Sequence, residues 1–178
     1  MKKEEPMPKE IGKMDSEKLR YDILRKQLIK SLNDDLSGEY QAIISYVIYS
    51  KVLKGAEFMN IAAEFEKDAA EELNHAMVIS DQIDYLGGMP TAYPKPVKIS
   101  KNATDMLQFD LKNEMDTIIR YRHRIRQCEE LEEYAMAEHI RKILLDEQEH
   151  LISLATALNI NVPDLKKELP NRKRQGSI

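Results

Sequence analysis

Two of the four histidines in the chain stand three residues after a glutamate, in Glu72-Leu73-Asn74-His75 and Glu147-Gln148-Glu149-His150. Glu39 precedes Glu72 by 33 residues and Glu114 precedes Glu147 by the same 33, so the pattern of acid, acid and imidazole is repeated along the chain. On a helix, residues three apart lie about one turn from each other on one face. Four glutamates and two histidines brought to one point in this way would bury like charges, which is very costly unless they protonate or bind cations. Two divalent metals supply four positive charges against four carboxylates, and mixed carboxylate and imidazole donors suit iron or manganese, with zinc as a competitor.

Nearby residues extend the pattern. Tyr46 and Tyr121 each lie seven residues after Glu39 and Glu114, two turns along the same helix face. They read either as core tyrosines or as hydrogen-bond partners and electron donors beside the metals. Asp146, next to Glu147, could accept a hydrogen bond from an imidazole N–H behind the ligands, or be solvated. His123 and His139 do not complete the repeat and read as surface or interface histidines. The nine methionines read as core filler, and Cys128 as incidental.

Four long amphipathic segments would have to carry these residues. Asp15 or Ser16 can cap a first helix, in which apolar residues recur from Leu19 through Leu32, Leu36, Tyr40, Ile43 and Val47 to Leu53, before Gly55. A second runs from about Ala56 to Leu86 and ends at Gly87-Gly88-Met89-Pro90. From Gly87 to Lys101, Pro90, Pro94 and Pro96 exclude a helix. This connection of about 15 residues can span roughly 50 Å extended, enough to cross a whole bundle. Asn102-Ala103-Thr104 opens a third helix to about Glu130, and a fourth runs from about Glu132 to Leu158. The point midway between Glu39 and Glu72 falls at Gly55-Ala56, and that between Glu114 and Glu147 at Glu130-Leu131. Antiparallel hairpins folded there bring both glutamates of each pair to one height. The expected architecture is all-α: a four-helix bundle of two antiparallel hairpins joined by one long crossover. It occupies residues 15–160, between a flexible arm at 1–14 and a short helix with a basic tail at 161–178.

Composition agrees. The 178 residues are 42% hydrophobic and 33% charged, with six glycines, three phenylalanines and no tryptophan, which suits one helical globular domain and argues against a β sandwich or barrel. One cysteine and no apolar leader after Met1-Lys2-Lys3 point to the cytoplasm, and no apolar run is long enough to span a membrane. A net charge of −4 offers no bulk attraction to nucleic acid; the basic residues at either end read as solvated. Around Ile43, Ile44, Val47, Ile48 and Tyr49 the first helix is apolar over most of its circumference, an excess that suggests a subunit interface.

With these residues in view, the sequence resembles the ferritin-like di-iron carboxylate superfamily, and bacterioferritins most closely, over roughly Leu32 to Leu158. The resemblance implies Glu39 and His75 as ligands of one iron, Glu114 and His150 of the other, and Glu72 and Glu147 as bridges. It implies a ferroxidase that oxidises Fe(II) with O2 or H2O2 and stores Fe(III) in a homo-oligomeric cage of 12 or 24 subunits. Leu73 stands where haem-carrying bacterioferritins have methionine, which argues against haem. Thr117 stands where a rubrerythrin-like pattern adds a glutamate. Dps-like proteins build their site across a subunit interface, whereas a complete set lies within this chain. The alternatives are a di-iron peroxidase or oxidase that stores nothing and a Dps-like DNA-protecting assembly.

Overall fold

The computed structural model describes residues 9–165, with side chains from Ser16 onward. Four helices carry the fold: α1 (Lys9–Val52), α2 (Met59–Tyr85), α3 (Ala103–Glu130) and α4 (Tyr134–Ala157), with one 3-10 turn at Ala56–Phe58 leading into α2. No strand occurs among the described residues, and no described helix is long and apolar enough to cross a membrane. The first helix begins at Lys9, well before the Asp15 or Ser16 expected to cap it. Extending a formed helix costs little per added residue. Residues 9–14 of the expected arm are thus helical, and residues 1–8 lie outside the described residues. So does most of the expected short helix after Pro163, and Pro163 to Leu165 are not helical.

Within each hairpin the helices pack antiparallel, α1 on α2 and α3 on α4, and contacts of α1 with α3 and α2 with α4 close the ring. Two apolar layers show the directions. One end of the bundle joins Tyr46, Tyr49, Ile61, Phe65, Leu107 and Leu154; the other joins Leu32, Leu36, Ile79, Ile83, Ile140 and Ile143. The charged positions of the repeat lie between them. Burying these apolar side chains is the main source of stability, and it fixes the height at which the acids meet.

The crossover runs beside α1 and is tied to it at intervals. Asn33 Nδ2 donates to Met89 O at 3.2 Å and its Oδ1 accepts from Thr91 N at 2.6 Å. Lys95 N donates to Ser37 O at 2.8 Å, Gln41 Nε2 donates to Pro96 O at 2.7 Å, and the Tyr49 hydroxyl donates to Lys98 O. Asn102 caps α3, its side chain accepting from Thr104 N at 2.8 Å.

Helices α2, α3 and α4 end in the same way, with one residue in the left-handed region followed by a bond back to the last turn. At Gly87 (φ 72°), Gly88 N donates to Ile83 O at 2.8 Å. At Asn159 (φ 54°), Ile160 N donates to Ala155 O at 3.0 Å. At Glu132 (φ 59°), Glu133 N donates to Cys128 O at 2.9 Å. Glutamate is strained there where glycine and asparagine are not. Glu132→Gly should accordingly raise stability by about 1 kcal/mol, or ~3 °C in Tm, measured by thermal unfolding; a lowered Tm would show that Glu132 contributes more through its side chain than its backbone costs.

Candidate metal centre

All six residues of the repeat are buried at 1–4% exposure in the layer between the two apolar clusters. Glu39 comes from α1, Glu72 and His75 from α2, Glu114 from α3, and Glu147 and His150 from α4. Their donor atoms fall into two overlapping groups, Glu39, Glu72, His75 and Glu147 in one, and Glu72, Glu114, Glu147 and His150 in the other, each with atoms within 4.8 Å of one another. Glu72 and Glu147 belong to both. His75 Nδ1 lies 3.4 Å from Glu72 Oε2, 3.5 Å from Glu39 Oε2 and 3.6 Å from Glu147 Oε1. His150 Nδ1 lies 3.1 Å from Glu72 Oε1 and 3.7 Å from Glu147 Oε2. The two imidazole centroids are 6.5 Å apart.

The outer atoms are held by neighbours. His75 Nε2 is 3.0 Å from Asp146 Oδ2, and His150 Nε2 is 3.2 Å from Glu71 Oε2. Each histidine thus directs Nε2 at the acid just before the bridging-position glutamate of the other hairpin, and keeps Nδ1 for the centre. Sequence reading reached Asp146 and missed Glu71, although Glu71-Glu72-Leu73-Asn74-His75 and Asp146-Glu147-Gln148-Glu149-His150 share that leading acid. The tyrosines bond across helices. Tyr46 donates to Glu114 Oε1 and Tyr121 to Glu39 Oε1, so each holds the glutamate of the other helix rather than the one that precedes it on its own. Tyr46 also stacks on Phe65 at 4.9 Å between ring centroids.

What is left faces inward. Glu39 Oε2, Glu72 Oε1, Glu114 Oε2, Glu147 Oε1 and His150 Nδ1 are buried and make no hydrogen bond. Buried polar atoms are nearly always satisfied, and orphans concentrated in one layer mark a missing partner. A cation or a proton would satisfy them, since four of these five are carboxylate oxygens, and the donor set fits a pair of divalent ions. Without them, protons carry the compensation. Burial and the neighbouring Glu39 push the Glu72 carboxyl up to about 8, and burial with Glu147 holds Glu114 well above the carboxylate range. Burial alone would raise Glu39 as well, but His75, Glu72 and Tyr121 beside it keep it low. Against the burial that disfavours their charge, His75 and His150 are raised above the imidazole range by the surrounding glutamates, Glu147 foremost.

Other candidates are ordinary. His123 is exposed and His139 half-buried, both away from the centre. Cys128 is buried among apolar residues, which pushes its thiol up to about 12. Of the apolar excess on α1, Tyr49 belongs to the core at 1% exposure, while Ile44 and Val47 remain exposed at 38% and 51%.

Comparison with known proteins gives the family. The ferritin-like domain matches residues 29–161. A bacterioferritin of Mycobacterium bovis is 30% identical over 135 residues, covering 75% of this chain and 84% of its own, and one of Brucella melitensis is 27% identical with the same coverage. A ferritin-like, diiron-carboxylate protein from Bacillus anthracis superposes with a TM-score of 0.74 at 33% identity, over 76% of this chain and 98% of its own. The bacterioferritin of Rhodobacter capsulatus, solved with a metal-free dinuclear site and a haem iron, superposes at 0.69 and 25% identity, over 75% and 84%. With the domain matched over residues 29–161 and the bundle shared with these neighbours, the chain belongs to the ferritin-like domain family.

Proposed function

We propose that the chain is a ferroxidase, taking two Fe(II) ions as substrate at a site within one subunit and passing Fe(III) to a store inside a cage of its own copies. The observation that carries this is the set of five buried, inward-facing donor atoms without hydrogen-bond partners. Glu39 and His75 would hold one iron, Glu114 and His150 the other, and Glu72 and Glu147 would bridge, because those two alone belong to both groups. O2 or H2O2 is the electron acceptor, one electron leaving each iron. Manganese or zinc would occupy the same donors. Leu73 stands where haem-carrying bacterioferritins have methionine, which argues against haem. A cytoplasmic location suits both the single cysteine and the need for Fe(II).

The surrounding residues prepare the site. Tyr46 and Tyr121 clamp the outer oxygens of Glu114 and Glu39, leaving one oxygen of each free for an ion. Asp146 and Glu71 fix the imidazole orientation. Protons held on Glu72, Glu114 and the histidines leave when iron arrives, so charge in the buried layer stays balanced in both states.

Glu72→Ala should abolish fast Fe(II) oxidation while circular dichroism shows the helices intact; stopped-flow absorbance after anaerobic Fe(II) loading and addition of O2 or H2O2 measures it, and an unchanged rate would remove Glu72 from the site. In the wild type, soluble ferric iron co-migrating with the protein far beyond two per chain supports storage, and saturation at two refutes it. Because Glu72 keeps its proton up to about 8 without metal, Zn(II) binding should release protons at neutral pH and weaken as pH falls from 8 to 6. Calorimetry in two buffers of different ionisation enthalpy reads this directly, and an identical heat in both would contradict it.

A further inference from the structure

The two hairpins are related by an offset of 75 residues, which pairs Glu39 with Glu114 and His75 with His150. The pairing fails where α1 and α3 face each other. Gly38 and Ala42 on α1 have Asn113 and Thr117 as their equivalents on α3, and all four line a cavity of about 220 Å³ that reaches the four central glutamates. Two small residues one turn apart leave this opening, and two half-buried cations stand at its rim, Lys95 from the crossover and Arg120 from α3. Both approach Gly38. A methyl group there would lie 2.9 Å from Arg120 Nη2 and 3.9 Å from Lys95 Nζ, so the guanidinium occupies the space that the glycine leaves. The bond from Lys95 N to Ser37 O fixes the lysine over this turn of α1.

The acids near the rim are already engaged. Asp34 accepts from Lys95 at 2.9 Å and Asp116 from Lys112 at 2.7 Å. Asp35, the equivalent of Asp110, is gripped by Arg124, Nε to Oδ2 at 2.6 Å and Nη2 to Oδ1 at 3.2 Å; the equivalent of Arg124 is Tyr49, whose hydroxyl donates to Lys98 O. Arg120 therefore shares its acid, reaching Asp35 Oδ1 at 3.4 Å from Nε and Thr117 Oγ1 at 2.9 Å from Nη2. A guanidinium carries five N–H donors and an ammonium three, so both cations keep donors beyond these bonds. Thr117 accepts from Arg120 and retains its own hydroxyl proton. Charge-assisted donors of this kind, converging from a planar fork and a point charge, suit an oxyanion.

We propose that Arg120, Lys95 and Thr117 bind one tetrahedral oxyanion, inorganic phosphate, at the rim of this cavity. Its purpose rests on the ferroxidase reading: oxidation of two Fe(II) adds positive charge to a buried layer, and an anion at the rim offsets it. Divalent ions that neutralise the glutamates leave the rim cations to dominate the cavity, so the anion binds the metal-loaded protein more tightly than the metal-free one. The test is anomalous diffraction from crystals loaded with Zn(II) and soaked in arsenate, a heavier mimic of phosphate. An arsenic peak within hydrogen-bond distance of Arg120 and Lys95 is expected, beside two zinc peaks among the glutamates. In Arg120→Gln and in Gly38→Ala, whose new methyl group displaces the guanidinium, the arsenic peak should vanish while the zinc peaks stay. Gly38→Ala should melt no lower, because alanine is the better helix former. In solution, calorimetry of phosphate binding to the Zn(II)-loaded protein should show affinity falling about tenfold or more in Lys95→Gln, the loss of one charge-assisted hydrogen bond. Two zinc peaks without arsenic, or arsenic undiminished in both crystal variants, would overturn the oxyanion site alone. Absence of the zinc peaks would overturn the dinuclear reading, and the site's purpose with it.

Discussion

Four glutamates meet in a buried layer, and the rest of the molecule is arranged around the cost of that meeting. A buried carboxylate without compensation is more expensive than the net stability of an ordinary domain can absorb. Two apolar layers hold the acids together from either side along the bundle, so the electrostatic penalty is met by packing energy until cations arrive. Protons on Glu72 and Glu114 and charged imidazoles at His75 and His150 serve in the meantime. The site is thus a place where hydrophobic burial is used to keep donors apart from water and ready for a metal.

Pre-organisation comes from the backs of the ligands. Each histidine is turned by an acid from the opposite hairpin and each unbridged glutamate by a tyrosine from the other helix of the α1 and α3 pair. Every one of these bonds crosses between the two hairpins, so the site and the docking of the hairpins are a single cooperative structure. The approximate twofold repeat makes the two donor groups nearly alike, and the exchange of an arginine for a tyrosine beside Asp35 and Asp110 makes their surroundings differ.

Much of this could be read from the chain. The 33-residue interval and the Glu-x-x-His pairs located six side chains that converge in space, and the midpoints placed a turn at Leu131 where neither glycine nor proline marks one. That turn was hard to see because Glu132 takes a left-handed conformation on its own. Asp68 and Asp110 carry no signal in the chain because acids are common on solvated helix faces, and only burial distinguishes them from Glu64 or Asp116; Glu71 is itself exposed, and only its contact with His150 Nε2 marks it. The partners of Tyr46 and Tyr121 were also hidden, since spacing along one helix says which face a residue shares but not which neighbouring helix it meets. The start of α1 at Lys9 lay beyond the reach of apolar periodicity, which has no signal before Leu19.

The most direct measurement of the central claim is a titration of the metal-free protein with Co(II), followed by its visible absorption. Saturation at two tightly held ions per chain, with that stoichiometry lost when Glu72 and Glu147 are both changed to glutamine, is the expected result. One ion or none, or two retained after both glutamates are gone, would contradict a dinuclear centre bridged by those residues.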